Sequence, residues 1–378
     1  MKYSKTLDGL RGIAIIMVML FHFNFVFEFG WAGVQLFFVL SGYLITSILL
    51  EEKENSLGYY LKRFYWRRTL RIFPLYYAYL VLVGIVFLIA KQPSDFLDLL
   101  PFLSTYTFNL YPLFKTYSYH DFYFTHFWSL SVEEQFYLIW PLVIFFSSQK
   151  QLRVVLIAII VGAPISRWLL DILLQAKDLP DYYVGQTVYR FTLGQWDGFA
   201  IGALIPVFGL TKRITNTRAP LLYSLQGMLV IGFVNMYLYF EQGSSLSLSS
   251  LGYPIAETAN GQHLWSYTVL NVFFLFLILY AQNPGTGFSL LNRFLGSSWL
   301  VFTGKISYGL YVYHWIIWMA YGKYLSPIVG SVWIGLVIYL SICVIVASVS
   351  FYLLEKPLLS WKDKLYYNVK ESDNNRLQ

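Results

Sequence analysis

Cysteine and charge are what this chain has least of. Its 378 residues include one cysteine, Cys343, set in the apolar run SICVIVASVS. An intramolecular disulfide, a cysteine zinc site and a paired redox centre are therefore excluded. Only 12 % of the residues are charged, about half the share usual in soluble domains. No P-loop, no dinucleotide-type glycine fingerprint and no nucleophile-elbow serine appears. The five histidines include no HExxH pair, so a metal hydrolase has no visible ligand set and no metal is expected.

What is present is apolar: 57 % of the chain is hydrophobic and the mean hydropathy is +0.54. That balance excludes a soluble enzyme, a disordered regulator and a nucleic-acid-binding domain. The formal net charge of +7, which would suggest nucleic acid in a soluble protein, reads here as basic cytoplasmic loops. Ten helices of about 20 residues would use about 200 positions, close to the apolar content. A backbone crossing lipid must satisfy its own hydrogen bonds, and long apolar runs without alternation do so as helices. The expected fold is thus all-α: a polytopic integral membrane protein of about ten transmembrane helices.

The candidate spans cover about 8–27, 31–50, 72–90, 127–147, 152–170, 191–209, 220–240, 263–281, 299–321 and 329–353. The first comes after a basic start (Lys2, Lys5, Arg11), as a signal peptide would, but no small-x-small cleavage site comes after it, so an uncleaved first span is expected. With the N-terminus inside, the outer segments hold only Lys91, Lys115, Arg167, Lys177, Arg190 and Lys323, and the rest of the basic residues fall inside. The positive-inside rule then puts both termini in the cytoplasm. Residues 1–360 read as one membrane-embedded domain and 361–378 as a polar, disordered cytoplasmic tail. No internal repeat of the transporter kind is visible.

Ionisable groups inside apolar segments are expensive and mark functional sites. In LDGLRGIAIIMVMLFHF, Arg11 and His22 stand eleven positions apart, about 16 Å along a helix. Arg11 would lie at the cytoplasmic entrance and His22 at or beyond mid-depth, as a proton acceptor or as a helix-bonding histidine. In HFWSLSVEEQFYLIWP, Glu133 and Glu134 fall in the outer half of their span, at the depth His22 reaches from the other side. One carboxylate could orient the imidazole as a triad acid does; the alternative is a pair that only anchors a helix end. Glu133 is the better candidate because Ser129 and Tyr137 share its face at i−4 and i+4.

The inner segment GYYLKRFYWRRTLRIFP gathers Arg67, Arg68 and Arg71. Arginine forks grip phosphate, although such a cluster also enforces topology and attracts anionic lipid. Towards the other end, Lys305, Tyr308 and His314 in GKISYGLYVYHW and Arg190 and Asp197 in YRFTLGQWDGFAIGAL read first as helix-packing groups. Glu355 in YLLEKP reads as a cap on the final span. The aromatics from Tyr106 to Trp128 form an interfacial belt or a sugar platform.

In order along the chain, LDGLRGIAIIMVMLFH, GVQLFFVLSGYLI, RRTLRIFPLYY, HFWSLSVEEQFYLIWP, GQWDGFAIGAL, GKISYGLYVYHW and YLLEKPL together resemble acyltransferase family 3, the integral-membrane O-acyltransferases of bacterial surface polysaccharides and secondary metabolites. The resemblance implies a ten-helix core that uses cytoplasmic acyl-CoA, commonly acetyl-CoA, as co-substrate, with no permanently bound cofactor. It places the family's basic-residue–His pattern on Arg11 and His22, and its Trp-Ser-Leu and Glu-Glu signature on Trp128, Ser129, Leu130, Glu133 and Glu134. The family's arginine motif usually has two arginines separated by one residue; here Arg68 is followed by Thr69, Leu70 and Arg71.

The expected activity is acyl transfer, most simply of acetyl, to a hydroxyl of a surface polysaccharide, lipid-linked sugar or secondary metabolite at the bacterial cytoplasmic membrane. His22, Glu133 and Glu134 would be catalytic, and Arg11, Arg67, Arg68 and Arg71 would bind acyl-CoA. Asp8, Ser129, Tyr137, Asp197, Lys305, Tyr308 and His314 would support them. Some relatives carry an extracytoplasmic SGNH-type domain; this chain, ending about 25 residues after its last span, would act alone or with a separate partner. The competing readings are a transporter of lipid-linked sugar or solute, and a non-catalytic assembly subunit.

Overall fold

A computed structural model describes residues 3–89, 93–114, 119–283 and 289–360. The expected tail at 361–378 lies outside the described residues, as do Lys91 and Lys115. Among the described residues the chain is helical throughout and has no strand. In order the helices are α1 (Lys5–His22), α2 (Ala32–Glu52), α3 (Leu57–Ile89), α4 (Pro93–Ser104), α5 (Trp128–Phe146), α6 (Gln149–Gln175), α7 (Asp181–Arg190), α8 (Thr192–Val207), α9 (Leu210–Arg213), α10 (Arg218–Glu241), α11 (Gln262–Gln282), α12 (Ser289–Leu295), α13 (Ser298–Lys305), α14 (Ser307–Ala320), α15 (Ser326–Val329) and α16 (Val332–Ser350).

Six described helical stretches are long and apolar enough to cross a bilayer: Glu28–Glu52, Leu57–Ile89, Gln149–Gln175, Arg218–Glu241, Ala259–Gln282 and Val332–Ser360. On α6, Val161, Trp168 and Leu173 face outward, and on α10 so do Phe233, Tyr237 and Phe240. Such apolar outer faces suit lipid. The chain is a multi-pass membrane protein.

The expected span at 127–147 is the single helix α5, but three others take shapes that single apolar runs do not predict. The run at 8–27 is helical only to His22, because Asn24 and Phe25 adopt left-handed backbone (φ 51° and 52°) and turn the chain into a short 3-10 segment, Glu28–Trp31. The run at 299–321 is divided at Ile306 into α13 and α14. The run at 191–209 becomes α8, only 16 residues long and deeply buried. Conversely, the basic stretch expected between spans is the first half of α3, a 33-residue helix that continues through Pro74. Local capping is legible at α6, where Ser148 and Gln151 form a reciprocal capping box.

The chain divides into two compact units, one made of Met1–Glu51 with Thr105–Lys305, the other of Glu52–Ser104 with the chain from Ile306 onward. In the first unit α1 packs on α13 so closely that a Cβ on Gly304 would overlap the carbonyl oxygen of Asp8. Likewise α2 meets α8 where a Cβ on Gly202 would overlap the carbonyl of Val39. Glycine at these two places lets backbones touch, as in other membrane helix pairs. In the second unit α14 packs against α16 and α3.

Candidate active site

In the first unit the site is organised along α1. Asp8 lies in its first turns, where a carboxylate complements the helix dipole, and accepts a 2.6 Å charge-assisted bond from Arg11 Nη1. Thr6 Oγ1 donates to the Ala281 carbonyl at 2.8 Å, fastening this end of α1 to the end of α11. Gly304 lies against Asp8, so Lys305 comes at the same end, its ammonium 5.9 Å from the ring centroid of Tyr3. Asp8, Arg11 and Lys305 are thereby brought together.

His22 is the last residue of α1, half-buried, with its ring edge-on to Phe21 at 5.1 Å. It therefore ends the helix rather than standing partway through a longer span. Its separation from Arg11 keeps the expected value of about 16 Å, because the helix between them is continuous.

Glu133 on α5 is held by two hydroxyls. Its carboxylate accepts from Ser41 Oγ of α2 at 2.6 Å and from Tyr137 OH. Packing register gives the place of Ser41 relative to α1. A Cβ on Gly33 of α2 would collide with the Ala14 carbonyl and stand 3.0 Å from Val18 Cγ2, and one on Gly30 would collide with Met17. The two helices are thus antiparallel at this contact. Ser41 lies eight residues beyond Gly33, about 12 Å farther along α2, which carries it towards the Asp8–Arg11 half of α1 and away from His22. Tyr137 shares the face of Glu133 as the i+4 spacing predicts. Ser129 instead donates to the carbonyl of His126 at 3.3 Å and is buried in the first turn of α5. Glu134 is half-buried and points about 100° away around the helix.

Asp197 is fully buried. Arg167 pairs with it at 3.2 Å with both side chains wholly covered, and also donates to the Gly194 carbonyl at 2.6 Å and to Thr268 Oγ1 at 2.7 Å. Thr268 donates in turn to Asp197, and the guanidinium lies 5.2 Å from the Tyr267 ring centroid. Arg167 is therefore not the loop cation that the topology count assumes. It ties α6 to α8 and α11, as a buried charge must when a partner and hydrogen bonds are at hand. Arg190 is also largely buried, bonded to Gln186 Oε1 at 2.9 Å. Neither of these two arginines can be counted as an outer loop charge.

Several polar contacts beside these residues escape sequence reading. Between α7 and α8 the chain breaks at Phe191, which is extended (ψ 128°). The carbonyls freed there are satisfied by side chains: Asn109 Nδ2 donates to Arg190 O at 3.1 Å and to Thr192 Oγ1 at 2.8 Å, while Gln195 Nε2 donates to Tyr189 O. Gln135 Nε2 donates to Asn109 Oδ1 at 2.9 Å. The only sequence signal was the amide and hydroxyl content of otherwise apolar segments.

In the second unit, Arg67, Arg68 and Arg71 lie on the N-terminal half of α3, with Arg67 and Arg71 one helical turn apart and Arg71 exposed. Arg63, one turn earlier, pairs with Glu52 at 2.5 Å. Tyr308 OH donates to the Ile72 carbonyl at 2.7 Å, binding α14 to α3. His314 is fully buried, and its Nδ1 is 2.7 Å from the Tyr311 carbonyl, a contact that puts the ring proton on Nδ1. Tyr308 and His314 thus serve the packing of α14. Among the described residues no cluster of three or more metal-ligating side chains occurs.

Residues 4–355 match the family model Acyl_transf_3, described as an acyltransferase domain. The chain is 28 % identical over 395 residues to the peptidoglycan O-acetyltransferase OatA of Listeria monocytogenes, covering 97 % of this chain and 59 % of that protein. It is 28 % identical over 372 residues to the O-acetyltransferase OatA of Staphylococcus aureus, covering 94 % of this chain and 57 % of the relative. The chain thus spans a little over half the length of these relatives. No solved structure matches it.

Proposed function

The chain belongs to acyltransferase family 3, and from that premise we propose that it is a membrane O-acetyltransferase that moves an acetyl group from cytoplasmic acetyl-CoA to a hydroxyl of a cell-surface glycan. Peptidoglycan appears in the name of the Listeria relative, and a cell-wall or lipid-linked sugar is the acceptor class proposed here. The place of action is the bacterial cytoplasmic membrane, with the basic half of α3 on the cytoplasmic side.

In this reading His22 is the general base. It takes the proton of the acceptor hydroxyl as the oxygen attacks the thioester carbonyl. The C–S bond then breaks, the ester forms, and the departing coenzyme A thiolate recovers the proton from the imidazolium. A positioned base of this kind contributes about 10²–10⁴-fold. Arg11, held by Asp8, guides the donor along α1, and the arginines of α3 take the phosphates of coenzyme A. Glu133 acts through Ser41 and Tyr137, fixing α5 against α2. Glu134 is the second carboxylate proposed for proton movement.

The observation that supports this most strongly is α1, a single helix with a buried-side Asp8–Arg11 pair near its start and a half-buried histidine as its final residue, in a chain that matches the acyltransferase domain over nearly its whole length. The test is thiol release from acetyl-CoA by purified protein with a glycan acceptor. Wild-type protein should release thiol and acetylate the glycan, and His22→Ala should fold normally and lose at least about a hundredfold in rate. A transporter would release no thiol in either form, and an unimpaired His22→Ala would remove the base from the scheme.

A further inference from the structure

Contacts at both ends of α1 fix where α11 begins. Thr6, in the first turn of α1, is bonded to the Ala281 carbonyl near the end of α11. At the other end, a Cβ on Gly30 would meet Met17 and Phe21, and the ring of the next residue, Trp31, stands edge-on to Tyr267 with centroids 5.6 Å apart. Tyr267 is one turn past His263. Helices α1 and α11 are therefore antiparallel, and α11 begins at the same end of the first unit as His22.

Polar groups that the proposed mechanism does not use gather there. His263 Nε2 is 2.9 Å from Asp171 Oδ1 of α6, and Gln175 Nε2 donates to both oxygens of that carboxylate at 3.1 and 3.0 Å. An ionised carboxylate only accepts, so Nε2 carries the proton and Nδ1 keeps a lone pair. His263 is 3 % exposed, and among the described residues Nδ1 has no hydrogen-bond partner. Neither end of the Gln262 amide has one, at 1 % exposure, nor has the buried hydroxyl of Tyr267. Buried polar atoms in this state are costly, and these share the first two turns of one helix.

Their chemistry selects a ligand. The amide and the phenol both give and take hydrogen bonds, and the imidazole nitrogen takes one. Sugar hydroxyls, each a donor and an acceptor, complement such a set. An anion suits it poorly, because Asp171 is itself a carboxylate and Arg167, whose guanidinium lies against the Tyr267 ring, is taken up by Asp197. The chain leading into α11 is strained, with Leu251, Ala256 and Asn260 in left-handed backbone (φ 51°, 53° and 56°). His263 N donates to the Glu257 carbonyl at 3.0 Å, which folds that segment back on the start of the helix. Strain of this kind gathers at ligand clamps.

We propose that Gln262, His263 and Tyr267 form the subsite that holds the acceptor glycan by its hydroxyls, at the His22 end of α1. Asp171 fixes the tautomer of His263, and the segment 251–261 moves aside to admit the sugar. The inference rests on the glycan acceptor proposed above and adds the place where it binds.

The experiment uses the full chain purified in detergent, with an oligosaccharide of N-acetylglucosamine as the probe. It reads the Kd of that sugar, the Kd of coenzyme A and the melting temperature. Wild-type protein should bind the sugar. Tyr267→Phe removes one hydroxyl and Gln262→Leu one amide, and each should weaken sugar binding by about tenfold, the worth of one hydrogen bond. Coenzyme A binding should not change. Melting temperatures should hold or rise, because an unpartnered buried group is lost. Asp171→Asn no longer compels the His263 tautomer and should weaken sugar binding as well. An unchanged sugar Kd in both Tyr267→Phe and Gln262→Leu would overturn the proposal, whatever their melting temperatures. So would parallel loss of sugar and coenzyme A binding, or wild-type protein that binds no sugar. If the sugar bound as expected while wild-type protein released no thiol from acetyl-CoA, the proposed activity would fall and the subsite would stand.

Discussion

Arg167 and Asp197 face each other at 3.2 Å, and neither side chain has any accessible surface. Thirty residues separate them in sequence, and the pair joins α6 to α8, with Thr268 completing the link to α11. A lipid-facing helix is thereby anchored through its buried side. Asp197→Ala should destabilise the protein by about 3–5 kcal/mol, since it abandons a guanidinium without its counter-charge. Replacing both partners by apolar residues of similar volume should recover much of that loss. Melting curves in detergent for the single and double variants test this, and equal losses in both would refute it.

The bonds from Ser41 and Tyr137 to Glu133 let bracing be tested apart from proton transfer. Ser41→Ala removes one of the two and should lower stability by about 1–3 kcal/mol, because the bond is to a charged group. If the chain performs the proposed acetyl transfer, the rate per folded molecule of Ser41→Ala should change much less than that of His22→Ala. Glu133→Gln can keep a weaker form of both contacts and should lose less stability than Glu133→Ala. Thermal shift and thiol-release rates measured together distinguish these outcomes.

How much of this was legible in the sequence depends on distance along the chain. Tyr137 and Glu133 are one helical turn apart, and their shared face comes from helix geometry alone. Ser41 lies 92 residues from Glu133, and nothing in either segment announces the meeting. The same holds for Arg167, which stands near the end of an apolar run and so looks like a loop cation until Asp197 is found beside it. The basic half of α3 reads in the sequence as an inner segment between spans, because its charge is a topology signal. Its Leu, Lys and Arg residues are good helix formers, and no proline interrupts them before Pro74. Class, order of motifs and the spacing of Arg11 to His22 come from local pattern; the partners of buried charges come from packing.

Asn109 should be among the more sensitive polar residues. It is 2 % exposed and supports both the Arg190 carbonyl and Thr192 where α7 gives way to α8. Asn109→Ala leaves buried groups unpaired and should cost about 1–3 kcal/mol. Hydrogen exchange at the start of α8 should accelerate in that variant. Unchanged exchange there would show that the break is maintained by other contacts.

Gly304 and Gly58 offer a matched comparison. Gly304→Ala places a methyl group into the Asp8 backbone and should destabilise by about 1–3 kcal/mol through overpacking. Gly58, near the start of α3, has open space around its Cβ position. Alanine there should stabilise by about 0.5–1 kcal/mol through helix propensity. Opposite signs in melting temperature are the expected result.

Because α1 is unbroken from Lys5 to His22, it works as a ruler with a fixed phase. Inserting or deleting one residue between Arg11 and His22 would swing the imidazole about 100° around the axis while shifting it only about 1.5 Å along it. Side-chain chemistry on the intervening turns can drift without harm to that bearing. The number of residues cannot.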